Sequence, residues 1–140
     1  MQFKIEKVDV WMGMAADKPG ALGEMLERIS KAGAQLEFIF ARPAGKDQAV
    51  FFLAPVKGTA VLKAARTMGI KKSEQMVSFR IHGPDRAGLG AKIACAMGSE
   101  GINISGFSGM TMAKQCLGYM GVNKKDAARA QKILKKILQP

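Results

Sequence analysis

Asp17-Lys18-Pro19-Gly20-Ala21-Leu22 and Asp85-Arg86-Ala87-Gly88-Leu89-Gly90 are two versions of one turn. A second pair follows: Ala32-Gly33-Ala34-Gln35-Leu36 is matched by Glu100-Gly101-Ile102-Asn103-Ile104. The offset is 68 both times, from 17 to 85 and from 33 to 101, in a chain of 140 residues. The chain therefore reads as two copies of one unit, and the internal repeat decides the fold of each half.

Working outward from the turns, each copy has the same order of elements. Val8, Val10 and Met12 alternate as a half-buried strand requires, and Val77, Phe79 and Ile81 do the same ahead of the second turn. Helical spacing follows, with Leu22, Met25, Leu26 and Ile29 in one copy and Leu89, Ile93, Ala94 and Met97 in the other. Gly33 and Gly101 supply the left-handed residue that ends each helix. Leu36 to Arg42 and Gln48 to Leu53 read as strands joined through Pro43-Ala44-Gly45-Lys46-Asp47, a hairpin signal. Ile102 to Phe107 and Cys116 to Val122 repeat that hairpin with a looser, Gly- and Met-rich connection. Val61, Leu62, Ala65 and Met68 give a second helix, matched by Ala130, Ile133, Leu134, Ile137 and Leu138.

The order is β-α-β-β-α twice, with a last strand near Ile70 to Glu74 in the first copy alone. The expected fold is α+β: two ferredoxin-like βαββαβ modules in tandem, over 1–70 and 71–140, with antiparallel sheets and helices on one face. The second copy lacks its last strand, while Phe3 and Ile5 add an alternation ahead of the first. Residues 2 to 6 are therefore expected to complete the second sheet, which would otherwise keep an orphaned edge.

The paired Asp-x-x-Gly turns, each following a strand and opening a helix, resemble the signature of the ACT domain, a small regulatory module that binds amino acids. The likeness covers nearly the whole chain and implies a stand-alone tandem of two such modules without a catalytic domain. In that family the ligand lies between neighbouring modules, against the turn of one and the start of the second strand of the other. Carried onto this sequence, the resemblance implicates Asp17, Lys18, Pro19, Gly20, Ala21 and Leu22 with Gln35 and Leu36. In the second copy it implicates Asp85, Arg86, Ala87, Gly88 and Leu89 with Ile102 and Asn103. Physical chemistry agrees: Gly20 and Gly88 allow backbone N–H groups to point outward at a helix start, where a carboxylate is favoured. Asp17 and Asp85 can accept from an ammonium group or cap the helix. Asn103 can both donate and accept. Ala87 stands where the first copy has Pro19, and Gly90 where it has Leu22, so the two sites differ and one alone can be occupied.

Composition narrows the function classes. Hydrophobic residues make up 48% and charged residues 24%, ordinary globular usage. No apolar run reaches the ~18 residues of a membrane helix, and Met1 to Trp11 is too charged for a signal peptide, so a cytoplasmic protein without a membrane partner is expected. Cys95 and Cys116 read as buried small hydrophobes, and His82 is the only histidine, at a strand end beside the second turn. No nucleophile-base pair, P-loop, cofactor motif or metal cluster is visible, so no catalysis, cofactor or metal is expected. The formal charge of +11 favours anionic partners, and Lys124, Lys125, Arg129, Lys132, Lys135 and Lys136 crowd the last helix. The alternative function is thus nucleic-acid binding on the basic face of the fold. An RNA-binding sheet needs stacked aromatics on its middle strands, and Cys116 to Val122 carries only Tyr119, so these lysines read as a solvated face. Trp11 reads as packing under a helix, and the ten methionines mostly as core filling. The expected partners are a free amino acid, a second copy pairing through exposed sheet edges, and a regulated enzyme.

Overall fold

The computed structural model describes residues 2–140. Eight strands and four α-helices run β1 (Lys4–Val8), β2 (Trp11–Ala16), α1 (Ala21–Lys31), β3 (Phe38–Pro43), β4 (Gln48–Ala54), α2 (Thr59–Thr67), β5 (Lys71–Lys72), β6 (Met76–Pro84), α3 (Leu89–Ser99), β7 (Ile104–Met112), β8 (Gln115–Asn123) and α4 (Ala127–Leu138), the last preceded by a 3-10 turn at Lys124–Asp126. Two compact units result. The continuous unit is Asp9–Ser73, and the discontinuous unit joins Met1–Val8 to Glu74–Pro140.

Both units have one topology. The continuous unit orders its antiparallel strands β3-β4-β2-β5, and the discontinuous unit orders its own β1-β6-β8-β7. Counted from each unit's first strand, both sheets read second, third, first, fourth, with β1 in the fourth place of the discontinuous unit. It pairs antiparallel with β6 over Lys4↔His82 to Val8↔Ser78. Phe3, just ahead of β1, is buried in that unit's core, and Gln139 at the far end donates from its side chain to the Phe3 carbonyl at 2.6 Å.

Helices pack on one face of each sheet because the apolar periods demand it. In the continuous unit Met25 and Ile29 of α1 and Val61 and Ala65 of α2 meet Phe51 and Leu53 of β4. In the discontinuous unit Ile93 and Met97 of α3 and Ala130, Leu134 and Leu138 of α4 meet Phe79, Ile81, Met120 and Val122. Both α1 and α3 stop the same way. Gly33 and Gly101 have φ of 104° and 72°, and the next N–H returns to the helix, Ala34 to Ile29 at 3.2 Å and Ile102 to Met97 at 2.9 Å.

Several expectations are corrected by packing. The first strand of the continuous unit is Trp11–Ala16, and Trp11, Gly13 and Ala15 face its core while Met12 is 43% exposed. Val8 belongs to β1 instead. The alternation was misphased because Gly13 is the inward residue, bare so that the Phe51 ring can lie over it. Leu22 and Ala94 are exposed, since the buried stripe of each helix is an i, i+4 pair, Met25 with Ile29 and Ile93 with Met97, flanked by partly buried Leu26 and Leu89. Cys95 is exposed between the two buried positions of α3, and Cys116 is only partly buried. The last strand of the continuous unit is just Lys71–Lys72. Finally, the hairpin of the discontinuous unit is tight: β7 extends to Met112, and Ala113 and Lys114, with φ of 52° and 64°, form a two-residue turn. Without Asn or Gly at Ala113 and Lys114 the sequence carried no signal for so tight a turn, and the connection was expected to be looser.

Candidate functional site

Each unit has a cleft in the same place, on the helix face of the sheet where the first helix begins and the hairpin runs past it. In the discontinuous unit a cleft of about 330 Å³ is lined by Asp85, Arg86, Gly88, Leu89 and Gly90 from the turn and α3, and by Phe107 to Thr111 and Cys116 to Gly118 from the hairpin. Ile81 and Ile93 close its inner end. In the continuous unit the corresponding cleft measures about 170 Å³, between Ala15 to Lys18 with Leu22 and the hairpin residues Ala41, Arg42, Pro43, Ala49 and Phe51.

The turns are built by left-handed glycines. Gly20 and Gly88 are the N-caps of α1 and α3, with φ of 87° and 81°, a region that costs other residues roughly 1–2 kcal/mol. Neither helix has a side-chain cap, so Asp17 and Asp85 are not caps here. Their backbones are tied to the hairpin tips instead, Asp17 N–H to the Asp47 carbonyl at 3.0 Å and Asp85 N–H to the Lys114 carbonyl at 2.9 Å. The Asp85 carboxylate is exposed and accepts from the Thr111 hydroxyl at 3.3 Å across the cleft mouth. Arg86 lies with its guanidinium carbon 5.9 Å from the Phe3 ring centre, so the completing N-terminal segment also buttresses the turn. Cys116 is 4.0 Å from the Pro84 carbonyl; burial pushes its thiol up, hydrogen bonding from the Gly83 backbone opposes this, and the Asp85 charge adds to the rise.

Of the residues singled out from sequence, Asp17, Lys18 and Leu22 line one cleft and Asp85, Arg86, Gly88 and Leu89 the other. Pro19, Gly20, Ala21 and Ala87 complete the turns without lining a cleft. Gln35, Leu36, Ile102 and Asn103 lie away from the cleft of their own unit. Ile102 is 4% exposed in the core, Leu36 packs on the other core, and Gln35 and Asn103 face solvent. His82 lies within β6 rather than at its end, on the sheet face opposite Ile81, and its Nε2 is 2.9 Å from Gln115 Oε1.

Sequence reasoning missed the hairpin wall. A register shift between Ile104 and Gly106 inserts an extra residue, so Phe107 opposes core Met120 and faces the same side as Ile104. Strict alternation from Ile104 places Phe107, Gly109 and Thr111 on the wrong face. The one signal available was the matching hairpin of the first copy. No group of three or more His, Cys, Asp or Glu suited to a metal ion occurs among the described residues. No helix among them is long and apolar enough to cross a membrane.

No family model matches the chain, and no curated protein matches it. Solved structures do. A protein of Bacteroides thetaiotaomicron superposes with a TM-score of 0.77 at 16% identity, covering 94% of this chain and 89% of that one. The ligand-free regulatory subunit of aspartate kinase from Thermus thermophilus gives 0.67 at 15% identity, covering 97% and 96%. Escherichia coli aspartokinase III, in complex with lysine and aspartate, gives 0.62 at 14%, covering 97% of this chain and 32% of that one. The class defined by this fold is thus α+β with two four-stranded antiparallel sheets, the architecture of that aspartate kinase regulatory subunit.

Proposed function

We propose that this protein is a non-catalytic regulatory module that binds a free amino acid at the Asp-x-x-Gly turn and acts on an enzyme partner. The observation that carries this reading is the cleft beside each turn, where main-chain donors at a helix start meet an exposed carboxylate. A zwitterion fits: its carboxylate goes to the N–H groups at Gly88 and Gly90, the Leu89 N–H being taken by the Arg86 carbonyl at 3.2 Å, and its ammonium to Asp85. In this reading a homodimer brings a second copy against the site, and of the second-strand residues only the exposed Gln35 and Asn103 are free to contact its ligand. Ligand binding changes the partner's activity only through unequal affinity for two arrangements of the assembly.

Thermal denaturation against the twenty amino acids and a short RNA tests the reading. A ligand at ~100 times its Kd adds ~2.7 kcal/mol of stability, a clear rise in Tm. Gly88→Val, which forces a β-branched residue to positive φ, is expected to abolish that rise while the chain still folds. Stabilisation by RNA alone, fading with salt, would instead favour nucleic-acid binding through exposed Lys125, Arg129, Lys132, Lys135 and Lys136.

A further inference from the structure

The two clefts are equivalent in place but not in size, about 330 Å³ against about 170 Å³. The cause can be followed residue by residue. At the offset of 68, Gly90 matches Leu22 and Gly109 matches Ala41. On the middle strands the exchange is reciprocal. Gly13 of β2 is paired with Phe51 of β4, whereas its counterpart Ile81 of β6 is paired with Gly118 of β8. In the continuous unit the Phe51 ring, 2% exposed, lies over Gly13, where a Cβ would stand 2.4 Å from Cζ. In the discontinuous unit Gly118 and its ladder partner Gly109 leave bare backbone where that ring would be.

The fold does not require glycine at two of these positions. A Cβ on Gly90 would meet nothing within 4 Å, and one on Gly109 only the Leu117 carbonyl at 3.9 Å. Neither is among the glycines with positive φ. Gly109 lies inside β7, where glycine weakens a strand, and Gly90 is the second residue of α3, so each leaves room that the backbone does not demand. Hydrophobic side chains border that room, notably Ile81, Ile93 and Phe107, while Asp85 and Arg86 stand at the turn.

We infer that the cleft of the discontinuous unit is the one amino-acid site of the chain, and that its glycine floor accepts an apolar side chain of leucine, methionine or phenylalanine size. The cleft of the continuous unit, about half that volume with Leu22 and Phe51 in its lining, is a structural relic of the repeat. This inference rests on the amino-acid reading above.

Calorimetric titration of the full chain with leucine, methionine, phenylalanine, glycine, aspartate and lysine tests it. One apolar amino acid is expected to bind with one molecule per chain, and aspartate and lysine not to bind. Gly90→Leu and Gly109→Leu, made singly and together, should each weaken binding by ~10-fold or more, with the unliganded Tm kept or raised for the helical Gly90→Leu. Ala41→Leu, in the other cleft, should leave affinity unchanged. Two molecules per chain, a preference for a charged amino acid, or loss of affinity in Ala41→Leu but not in the glycine variants would overturn the assignment and leave the amino-acid function standing. Absence of binding by all twenty amino acids would remove both.

Discussion

Gly83 and Phe3 show how little room separates the completing segment from the turn it supports. A Cβ on Gly83 would stand 2.3 Å from Phe3 Cδ1, and Phe3 is 5% exposed, so the ring cannot simply swing out. Gly83→Ala is therefore expected to destabilise the chain by about 1–3 kcal/mol, the usual cost of overpacking, measured by urea denaturation. An unchanged midpoint would mean that the ring is not seated there in solution. Sequence reading fares unevenly at this scale. Gly20, Gly33, Gly88 and Gly101 were legible because positive φ is a local demand of the backbone. Gly13, Gly83, Gly109 and Gly118 were not, because their need or their use arises from atoms on other strands. The same holds for Leu22 and Cys95: a residue type states a preference for burial, and only the helix's docking angle decides which side receives it.

At the scale of elements, β1 is fixed to β6 partly by charge. Glu6 sits opposite Arg80 in the ladder and pairs with it, and Lys4 Nζ lies 2.9 Å from Glu6 Oε1. Hydrogen bonds from Lys4 and then Arg80 hold the Glu6 carboxyl below the usual carboxylate range. A depressed pKa in the folded state means that the stabilisation is complete above the unfolded value and is lost as pH falls through the folded one. Glu6→Gln should accordingly lower Tm at neutral pH, and the gap from the parent chain should close in acid. A gap that stays unchanged as the pH is lowered would assign the effect to something other than this ion pair. Long periodic helices were readable from sequence, and so were the strands whose alternation is regular. The β7–β8 hairpin was readable only in part, because its turn residues are Ala113 and Lys114 and its extra residue reverses the facing of everything after Ile104.

For the whole molecule, the decisive feature is that Phe3 and β1 belong to the unit formed mainly by Glu74–Pro140. A chain beginning at Asp9 loses one of the two ladder partners of β6 and the Phe3 ring from the core, a deletion that costs about 3–5 kcal/mol for the ring alone. Amide exchange over β6 and β8 should then accelerate sharply while β2 and β4 keep their protection. Equal protection in both sheets after the truncation would show that β1 contributes nothing to the fold in solution. The sequence by itself determined the α+β order of elements and the two glycine turns, since each is written in spacing and in local backbone demands. Tertiary structure alone decided which cleft is the larger, because that depends on a Phe in one sheet and a Gly in the other standing across a ladder from Gly13 and Ile81. Residues far apart in sequence settle that volume, and no local pattern carries it.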